Sequence, residues 1–350
     1  MRLRPVIAAL PILALALVAC GSSGSDSSTT GTATSGSGPA ASSATSEAAM
    51  VGPDVPAATV VAAPVAKAEM PTASGDFGDK PTLTFPKSDP PNSLQRQVLI
   101  EGDGAKVEST DWVIANYLGQ VWGGKVFDNS YDRKATSAFQ LDNVVSGWKV
   151  GLTGMTEGSR VLLSLPPSDG YGMNGNSGAG ISGTDTIVFV IDIVKTIPAG
   201  QGGQTDAKVH AQTPDQPKVT GDLGKAPTIT IGSAKAPTKD STFVLATGTG
   251  DKLTNAGKAL VQYEAIGWDG SSLGSTWPDS KSAAETGSGG TGPTEIPLSA
   301  DNVFSGLIGQ PIGSRVLIQL APSSDSSTGS TNPAAAVVVD ILYQTSKTAS

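Results

Sequence analysis

The stretch VVSGWKVGL at residues 144–152 has the apolar spacing of a short amphipathic helix and is the only segment with convincing helical character. Its single tryptophan, Trp148, stands between Gly147 and Gly151, which carry no side chain. A buried helix does not need glycines around its largest side chain. We therefore expect Trp148 to form the floor of a hollow that something other than the protein fills.

Around this helix the sequence indicates β-strands. The segments with mostly alternating, β-rich patterns are WVIANYLGQVW at 112–122, RVLLSLPP at 160–167 and TIVFVIDIV at 186–194. Several strands with one short helix predict an α+β domain, in which a twisted antiparallel sheet wraps around the helix.

An internal repeat indicates that this domain is present twice. Five segments recur in the same order, among them GDFGDKPTLTFP at 75–86 and GDLGKAPTITIG at 221–232, LDNVVSGW at 141–148 and SADNVFSGL at 299–307, and GSRVLLSLPPS at 158–168 and GSRVLIQLAPS at 313–323. We predict domains at 76–199 and 218–346, joined by a linker at 200–217 that contains no aromatic residue. The one histidine, His210, falls in this linker, and we expect it to be solvated and inert.

The N-terminal segment predicts export and membrane anchoring. Arg2 and Arg4 precede an apolar run at 5–19, which is too short for a comfortable membrane span but suits a signal peptide. The sequence LVAC ending at Cys20 resembles a bacterial lipobox, which implies cleavage after residue 19, a lipid on Cys20 and an extracytoplasmic protein held at the cell membrane. The alternative is an ordinary signal peptide with an incidental cysteine. Residues 20–75 are rich in Ser, Gly, Ala and Thr and predict a disordered tether.

Charge and residue usage exclude several classes of function. The formal net charge of −8 and the absence of a basic cluster argue against nucleic acid as a partner. With one histidine and one cysteine in the chain, a Ser-His-Asp triad and a Cys/His zinc site are excluded in practice. The sequence predicts neither a metal nor a cofactor.

Residues 95–197 resemble the FKBP-type peptidyl-prolyl cis-trans isomerases. The similarity rests on the order and spacing of GDGAKVESTDWVIANYLGQVWGGKVFDNSYDR at 102–133, FQLDNVVSGWKVGLTGMTEGSRVLLSLPPSDGYG at 139–172 and GISGTDTIVFVIDIV at 180–194. The resemblance implies the α+β fold described above. It also implies an activity, the interconversion of cis and trans X-Pro bonds.

The resemblance further implies which residues line the pocket. They are Tyr117, Phe127, Asp128, Val144, Val145, Trp148, Tyr171, Ile181 and Phe189, with Arg133 in support of Asp128. The resemblance places the substrate proline on Trp148, and it predicts a buried, hydrogen-bonded group of Asp128, Tyr117 and Arg133. The sequence departs from the family pattern at Ser137, at Asn143 and in GISG at 180–183. Four further apolar residues are interpreted as plain core: Phe139, Leu152, Val161 and Leu163.

The second copy keeps the scaffold but not the pocket. Tyr263 matches Tyr117, whereas the positions of Phe127, Asp128, Trp148 and Phe189 carry Leu273, Gly274, Leu307 and Val337. Four residues, about one helical turn, are missing after the short helix. We expect this copy to be non-catalytic and to serve interaction or support.

The leading hypothesis is a folding catalyst for proline-containing exported polypeptides that also binds macrolide inhibitors. Two alternatives stay open. One is a chaperone or interaction module that holds proline segments with little turnover. The other is a structural lipoprotein of the cell envelope in which both copies are relics.

Overall fold

The computed structural model describes residues 57–280, 284, 290, 292–324 and 331–345. The predicted signal peptide, Cys20 and most of the predicted tether lie outside these residues. Within the described part of the chain, no helix is both long and apolar enough to cross a membrane.

The N-terminal half of the described chain builds one sheet. It begins with a hairpin of β1 (Thr72–Ala73) and β2 (Leu83–Thr84). The first sheet then consists of β3 (Gln95–Ile100), β4 (Trp112–Val121), β5 (Val126–Asn129), β6 (Ser137–Gln140), β7 (Arg160–Leu165) and β8 (Ile187–Ile197). All neighbours are antiparallel in the order β3-β7-β8-β4-β5, and β6 also pairs with β4.

The helix α1 (Ser146–Leu152) packs against β7 of this sheet. A Cβ atom on Gly147 would lie 2.5 Å from the Leu165 side chain, and one on Gly151 would lie 2.7 Å from Leu163. Both glycines are therefore required for close approach of helix and strand. Leucine side chains of β7 fill the space beside them, so these glycines have a packing role that the sequence did not indicate.

Short 3-10 helices complete this half of the chain. They span Lys67–Glu69, Leu141–Asn143, Pro167–Asp169 and Gly172–Asn174. The last two lie between β7 and β8, so they surround the loop that carries Tyr171.

The C-terminal half builds a second sheet with the same strand order. The strands of this sheet are β9 (Lys208–Val209), β12 (Ser241–Thr247), β13 (Lys258–Gly267), β14 (Ser272–Ser275), β15 (Thr294–Pro297), β16 (Arg315–Leu320) and β19 (Ala335–Thr345). Two separate hairpins are formed by β10 (Lys218–Thr220) with β11 (Thr228–Thr230) and by β17 (Ser323–Ser324) with β18 (Thr331–Asn332). The order β12-β16-β19-β13-β14, with β15 also on β13, repeats that of the first sheet, and β9 adds one strand beside β12. At the position of α1 stands a 3-10 helix, Ser305–Leu307.

A buried ion pair recurs at matching places in the two sheets. Arg160 Nε donates to Asp192 Oδ1 at 2.6 Å, and Arg315 Nε donates to Asp340 Oδ1 at 2.7 Å. Each arginine also donates to two carbonyl oxygens in the turn of a preceding hairpin, namely those of Gly75, Asp79, Asp222 and Lys225. The repeated GD-x-G sequences are thus the turns that close over these arginines.

The end of the predicted tether is ordered and packs on the first sheet. We call residues 57–66 the strap. Its Ala62 N–H donates to Leu94 O at 3.2 Å, and Val65 N–H donates to Gln95 Oε1 at 3.1 Å. Met70, which follows, is 6% exposed. A segment without aromatic residues can still dock through its backbone amides and small aliphatic side chains, which composition alone does not reveal.

The predicted linker at 200–217 is likewise joined to the second sheet. Gly203 N–H donates to Asp340 Oδ2 at 2.8 Å, and β9 pairs with β12. His210 is exposed, but its N–H donates to Leu245 O at 2.9 Å and its Nε2 lies 2.8 Å from Thr247 Oγ1. The second sheet therefore begins earlier in the chain than the composition predicts.

The two sheets meet through apolar side chains. Ile114 and Val194 of the first sheet cluster with Leu260 and Leu342 of the second. By strand register, Leu260 is the counterpart of Ile114 and Leu342 that of Val194. Equivalent residues of the two sheets thus lie in one cluster, as in an isologous interface.

Candidate functional site

An aromatic cluster surrounds Trp148 in the first sheet. The Trp148 indole is 3% exposed. Its ring centroid lies 5.6 Å from that of Tyr117, 4.9 Å from Phe139 and 5.2 Å from Phe189, each in an edge-to-face arrangement. Phe127 continues the cluster at 5.6 Å from Phe189. Such contacts favour a rigid array, because each ring fixes the orientation of the next.

The remaining apolar residues predicted for the pocket join the same cluster. Val144, Val145 and Tyr171 are partly buried against it, and Ile181 is 4% exposed within it. Val145 is the N-cap of α1, and no side chain caps this helix. The structure therefore brings together every predicted apolar and aromatic site residue, although they come from three strands, the helix with the residues just before it, and two loops.

A polar group lies beside the rings. The Tyr117 hydroxyl donates to Asp128 Oδ2, and Arg133 donates from Nη1 to Asp128 Oδ1 and from Nη2 to the Tyr117 hydroxyl oxygen. The predicted hydrogen-bond partners are therefore correct. The predicted burial is not, since the Asp128 and Arg133 side chains are 44% and 47% exposed. Their charges stay in contact with solvent at the edge of the cluster, so little of the free-energy cost of removing a charge from water is incurred.

Burial is the main cause of the altered pKa of Tyr117. It raises the pKa of the phenol, and the hydrogen bond to Asp128 raises it further, while Arg133 opposes the change. The hydroxyl therefore stays protonated at neutral pH and acts as a donor to the carboxylate. Burial also raises the pKa of Tyr171, against the hydrogen bond with Asn176.

Two of the positions that depart from the family pattern have local side-chain partners. Ser182 stands in GISG, and its N–H donates to Asp185 Oδ2 at 2.8 Å. Asn143 ends a 3-10 helix, and its Nδ2 donates to Gln140 Oε1 at 2.7 Å. The loop next to Ile181 is thus tied by side-chain hydrogen bonds.

Three contributors to the site were not recognised from the sequence. Phe139 was interpreted as plain core, yet its ring is among those in contact with Trp148. Gly119 is required because a Cβ there would lie 2.6 Å from Phe127 and 2.7 Å from Phe189. Ser130 accepts the Tyr117 N–H at 2.9 Å. Only Gly119 carried a sequence signal, since an isolated glycine in a strand indicates close approach of a neighbour.

Strand register tests the matching of the second sheet directly. Gly119 faces Asp128 and Phe189 across its two neighbouring strands, and Ala265 faces Gly274 and Val337 in the same way. By register, Gly274 therefore occupies the position of Asp128, and Val337 occupies that of Phe189. At the helix position, Leu307 is fully buried in place of Trp148.

The described residues contain no group of three or more His, Cys, Asp or Glu side chains that could hold a metal ion. The arrangement provides an apolar, aromatic surface bordered by a hydroxyl and an ion pair. Such a surface suits binding and distortion of a neutral group.

Comparisons with known proteins give a consistent result. The family model for the FKBP-type peptidyl-prolyl cis-trans isomerases matches residues 104–194. A probable FK506-binding protein of Corynebacterium glutamicum is 38% identical over 117 residues, which are 33% of this chain and 98% of that protein. An FK506-binding protein of Streptomyces anulatus is 36% identical over 33% of this chain and 96% of its own length.

The similarity to a larger relative is partial. The FKBP-type isomerase FkpA of Escherichia coli is 37% identical over 118 residues, which are 34% of this chain and 42% of FkpA.

Proposed function

This chain belongs to the FKBP-type peptidyl-prolyl cis-trans isomerase family, and we propose that the pocket around Trp148 catalyses rotation about X-Pro bonds of exported polypeptides. The observation that carries the proposal is the convergence of Tyr117, Phe127, Trp148 and Phe189 on one aromatic cluster. Family membership supports the reaction. The export of its substrates is supported by the N-terminal sequence alone.

The chemistry needs neither a nucleophile nor a metal. Rotation about a planar amide bond faces a barrier of about 18–20 kcal/mol because the planar form has resonance stabilisation. For X-Pro bonds the two isomers differ by about 0.5–1 kcal/mol, but exchange takes tens to hundreds of seconds. In the twisted state charge separation falls, so an apolar site favours it over the planar amide, which water solvates better. Tighter binding of the twisted state than of the ground state is the source of acceleration.

The pocket residues have distinct parts in this proposal. Trp148 supports the proline ring, and Phe127, Val144, Ile181 and Phe189 exclude water from it. In this proposal the Val145 N–H and the Tyr171 hydroxyl donate to substrate carbonyl oxygens. Asp128 with Tyr117 and Arg133 forms the polar edge next to the rotating bond.

The activity is tested on the full chain with an X-Pro peptide and exchange spectroscopy by NMR. We expect Phe127→Ala with Asp128→Val to lower kcat/KM at least tenfold, which corresponds to about 1.4 kcal/mol. Leu273→Ala, at the matching place in the second sheet, is the control and should leave the rate unchanged. An unaltered rate in the folded double variant would contradict the assignment of the pocket.

The chaperone alternative predicts a different pattern from the same experiment. A module that only holds proline segments would bind the peptide but leave its exchange rate at the uncatalysed value. A macrolide of the FK506 type should compete with the peptide in either case, so competition alone does not separate the two functions.

We further propose that the mature protein is anchored to the cell membrane through a lipid on Cys20. The support is the apolar run at 5–19 and the small residues that precede the only cysteine. Several acyl chains would hold the protein stably, since each buried methylene contributes about 0.8 kcal/mol. Cys20→Ala should release the protein from the membrane fraction or block its processing. A variant that stays membrane-bound and is still cleaved after Ala19 would contradict lipidation.

The second sheet is, in our proposal, a degenerate FKBP-like copy without catalysis. Its strand order and its Arg315–Asp340 pair support a common scaffold. Leu273, Gly274 and Leu307 leave nothing that favours a twisted amide over a planar one. We assign it a supporting role through its contacts with the first sheet.

A further inference from the structure

Asp169 lies where the strap, α1 and the Tyr171 loop meet. It ends the 3-10 helix Pro167–Asp169, two residues before Tyr171. Its backbone carbonyl approaches α1 so closely that a Cβ atom on Gly147 would lie 2.9 Å from it. A shift of Asp169 would therefore displace both Tyr171 and the helix that carries Trp148, which lie on two sides of the pocket.

The side chain of Asp169 is a buried acid, 2% exposed. Ala58 N–H donates to its Oδ1 at 2.7 Å, and Ser168 Oγ donates to its Oδ2 at 3.4 Å. No ion pair with a described residue accompanies these bonds. Burial raises the pKa of this carboxyl, and the two hydrogen bonds oppose the rise. The short bond from Ala58 is thus the principal compensation for burying this group.

The strap that supplies this N–H is attached to the first sheet and its core at several points. Ala58 and Val61 pack against the core cluster that contains Trp148. Farther along, Ala62 and Val65 donate backbone hydrogen bonds to Leu94 and Gln95. The strap therefore packs against the cluster that forms the pocket, although it is not a strand of the sheet. Its composition alone predicts only a tether.

We propose that Asp169 is a positioning residue for the isomerase site and that the strap holds it in place through the Ala58 N–H. The bond fixes the loop that presents Tyr171 and its contact with α1. The segment that leads to the membrane anchor is thus part of the pocket's support. This inference rests on the proposed function of the pocket.

The test removes the N–H without removing the strap. Ala58→Pro in the full chain should lower kcat/KM for an X-Pro peptide about fivefold. The matched control is Val60→Pro, because Val60 is 72% exposed and its N–H is not among the described hydrogen bonds. Its rate should stay within twofold of the wild type. Amide hydrogen exchange at residues 168–171 should speed up in Ala58→Pro and not in the control.

A pH profile separates positioning from a general loss of stability. In Ala58→Pro the carboxylate of Asp169 is buried without its main donor, so protonation should relieve the defect and the rate relative to Val60→Pro should recover as the pH falls. Asp169→Asn in the same background should abolish this recovery, because the amide does not titrate. The effects of Ala58→Pro and Asp169→Asn on kcat/KM should therefore be non-additive when the two substitutions are combined.

The outcomes decide the inference separately from the function. Equal rates and equal exchange in Ala58→Pro and Val60→Pro would overturn it, as would independent effects of the two substitutions on the rate. If the wild type does not catalyse at all, the proposed function fails. Amide hydrogen exchange at 168–171 then still decides whether the strap orders this loop.

Discussion

The first and second sheets share their strand order and a buried arginine–aspartate pair, but they differ in the residues that form the proposed pocket in the first sheet. The first surrounds Trp148 with Tyr117, Phe139 and Phe189, whereas the second buries Leu307 at the matching place. The comparison separates two sets of residues. One set holds the scaffold and is kept in both sheets, while the other builds the pocket and differs between them.

The largest expected effect concerns the scaffold set. Asp192→Ala would leave Arg160 buried without its partner, and Asp340→Ala would do the same to Arg315. Breaking a buried pair in this way costs about 3–5 kcal/mol, so each variant should lower the free energy of unfolding by that amount. Chemical denaturation of both variants measures it.

Asp132→Ala serves as the control for this comparison. Asp132 pairs with Lys80 at 2.7 Å, but both side chains are largely exposed. Such a pair contributes about 0–1 kcal/mol. If Asp132→Ala and Asp192→Ala destabilise equally, the recurring pair is not what holds the shared scaffold.

The next effect concerns the pocket set. Phe127→Leu with Asp128→Gly gives the first sheet the residues found at 273 and 274 in the second. We expect kcat/KM to fall at least tenfold, about 1.4 kcal/mol, while the free energy of unfolding changes little. A full rate in this variant would mean that the two sheets do not differ in the way we describe.

Phe139 should have a smaller effect than the predicted pocket residues. Its ring contacts Trp148 and Tyr117 edge-on, and such an aromatic pair contributes about 0.5–1.5 kcal/mol beyond its buried area. Phe139→Leu should therefore lower kcat/KM severalfold. Phe243→Leu in the second sheet is the control and should leave the rate alone. Equal values of kcat/KM for Phe139→Leu and the wild type would show that Phe139 belongs to the scaffold and not to the pocket.

The smallest expected effect is that of alkaline pH on turnover. The pKa of Tyr117 is raised from a reference of about 10, so its hydroxyl remains protonated and turnover should be flat from about pH 6 to pH 9. Because the folded pKa lies above the unfolded value, the contribution of Tyr117 to stability is complete below about pH 10 and is lost as the pH rises further. A fall in rate centred near pH 8 would place a different group at the pocket edge.

Much of the first sheet could be predicted because its signals are local. Alternation in WVIANYLGQVW and RVLLSLPP marks strands, and the resemblance to the FKBP family implies the pocket residues. The roles of Gly147 and Gly151 could not be predicted, because the leucines they meet lie on another strand. Glycine in the sequence does not show whether space is left open or filled by a neighbour.

The ends of the two sheets were harder to predict. The strap and the residues from Gly203 to β9 contain no aromatic side chain, and they attach through backbone N–H groups and a few aliphatic contacts. Every non-proline residue carries such an N–H, so the sequence holds no sign of which one is used. The presence of Ile114 and its counterpart Leu260 in one cluster likewise depends on how the sheets dock.

The central claim is that turnover by the whole chain comes from the first pocket alone. The most direct test is X-Pro exchange catalysed by the full chain with Phe127→Leu, Asp128→Gly and Trp148→Leu together, which makes the first pocket match the second. We predict that exchange falls to the uncatalysed rate while the protein stays folded. A remaining rate comparable to that of the wild type would show that the second sheet catalyses, and that Leu307 is not the counterpart of Trp148.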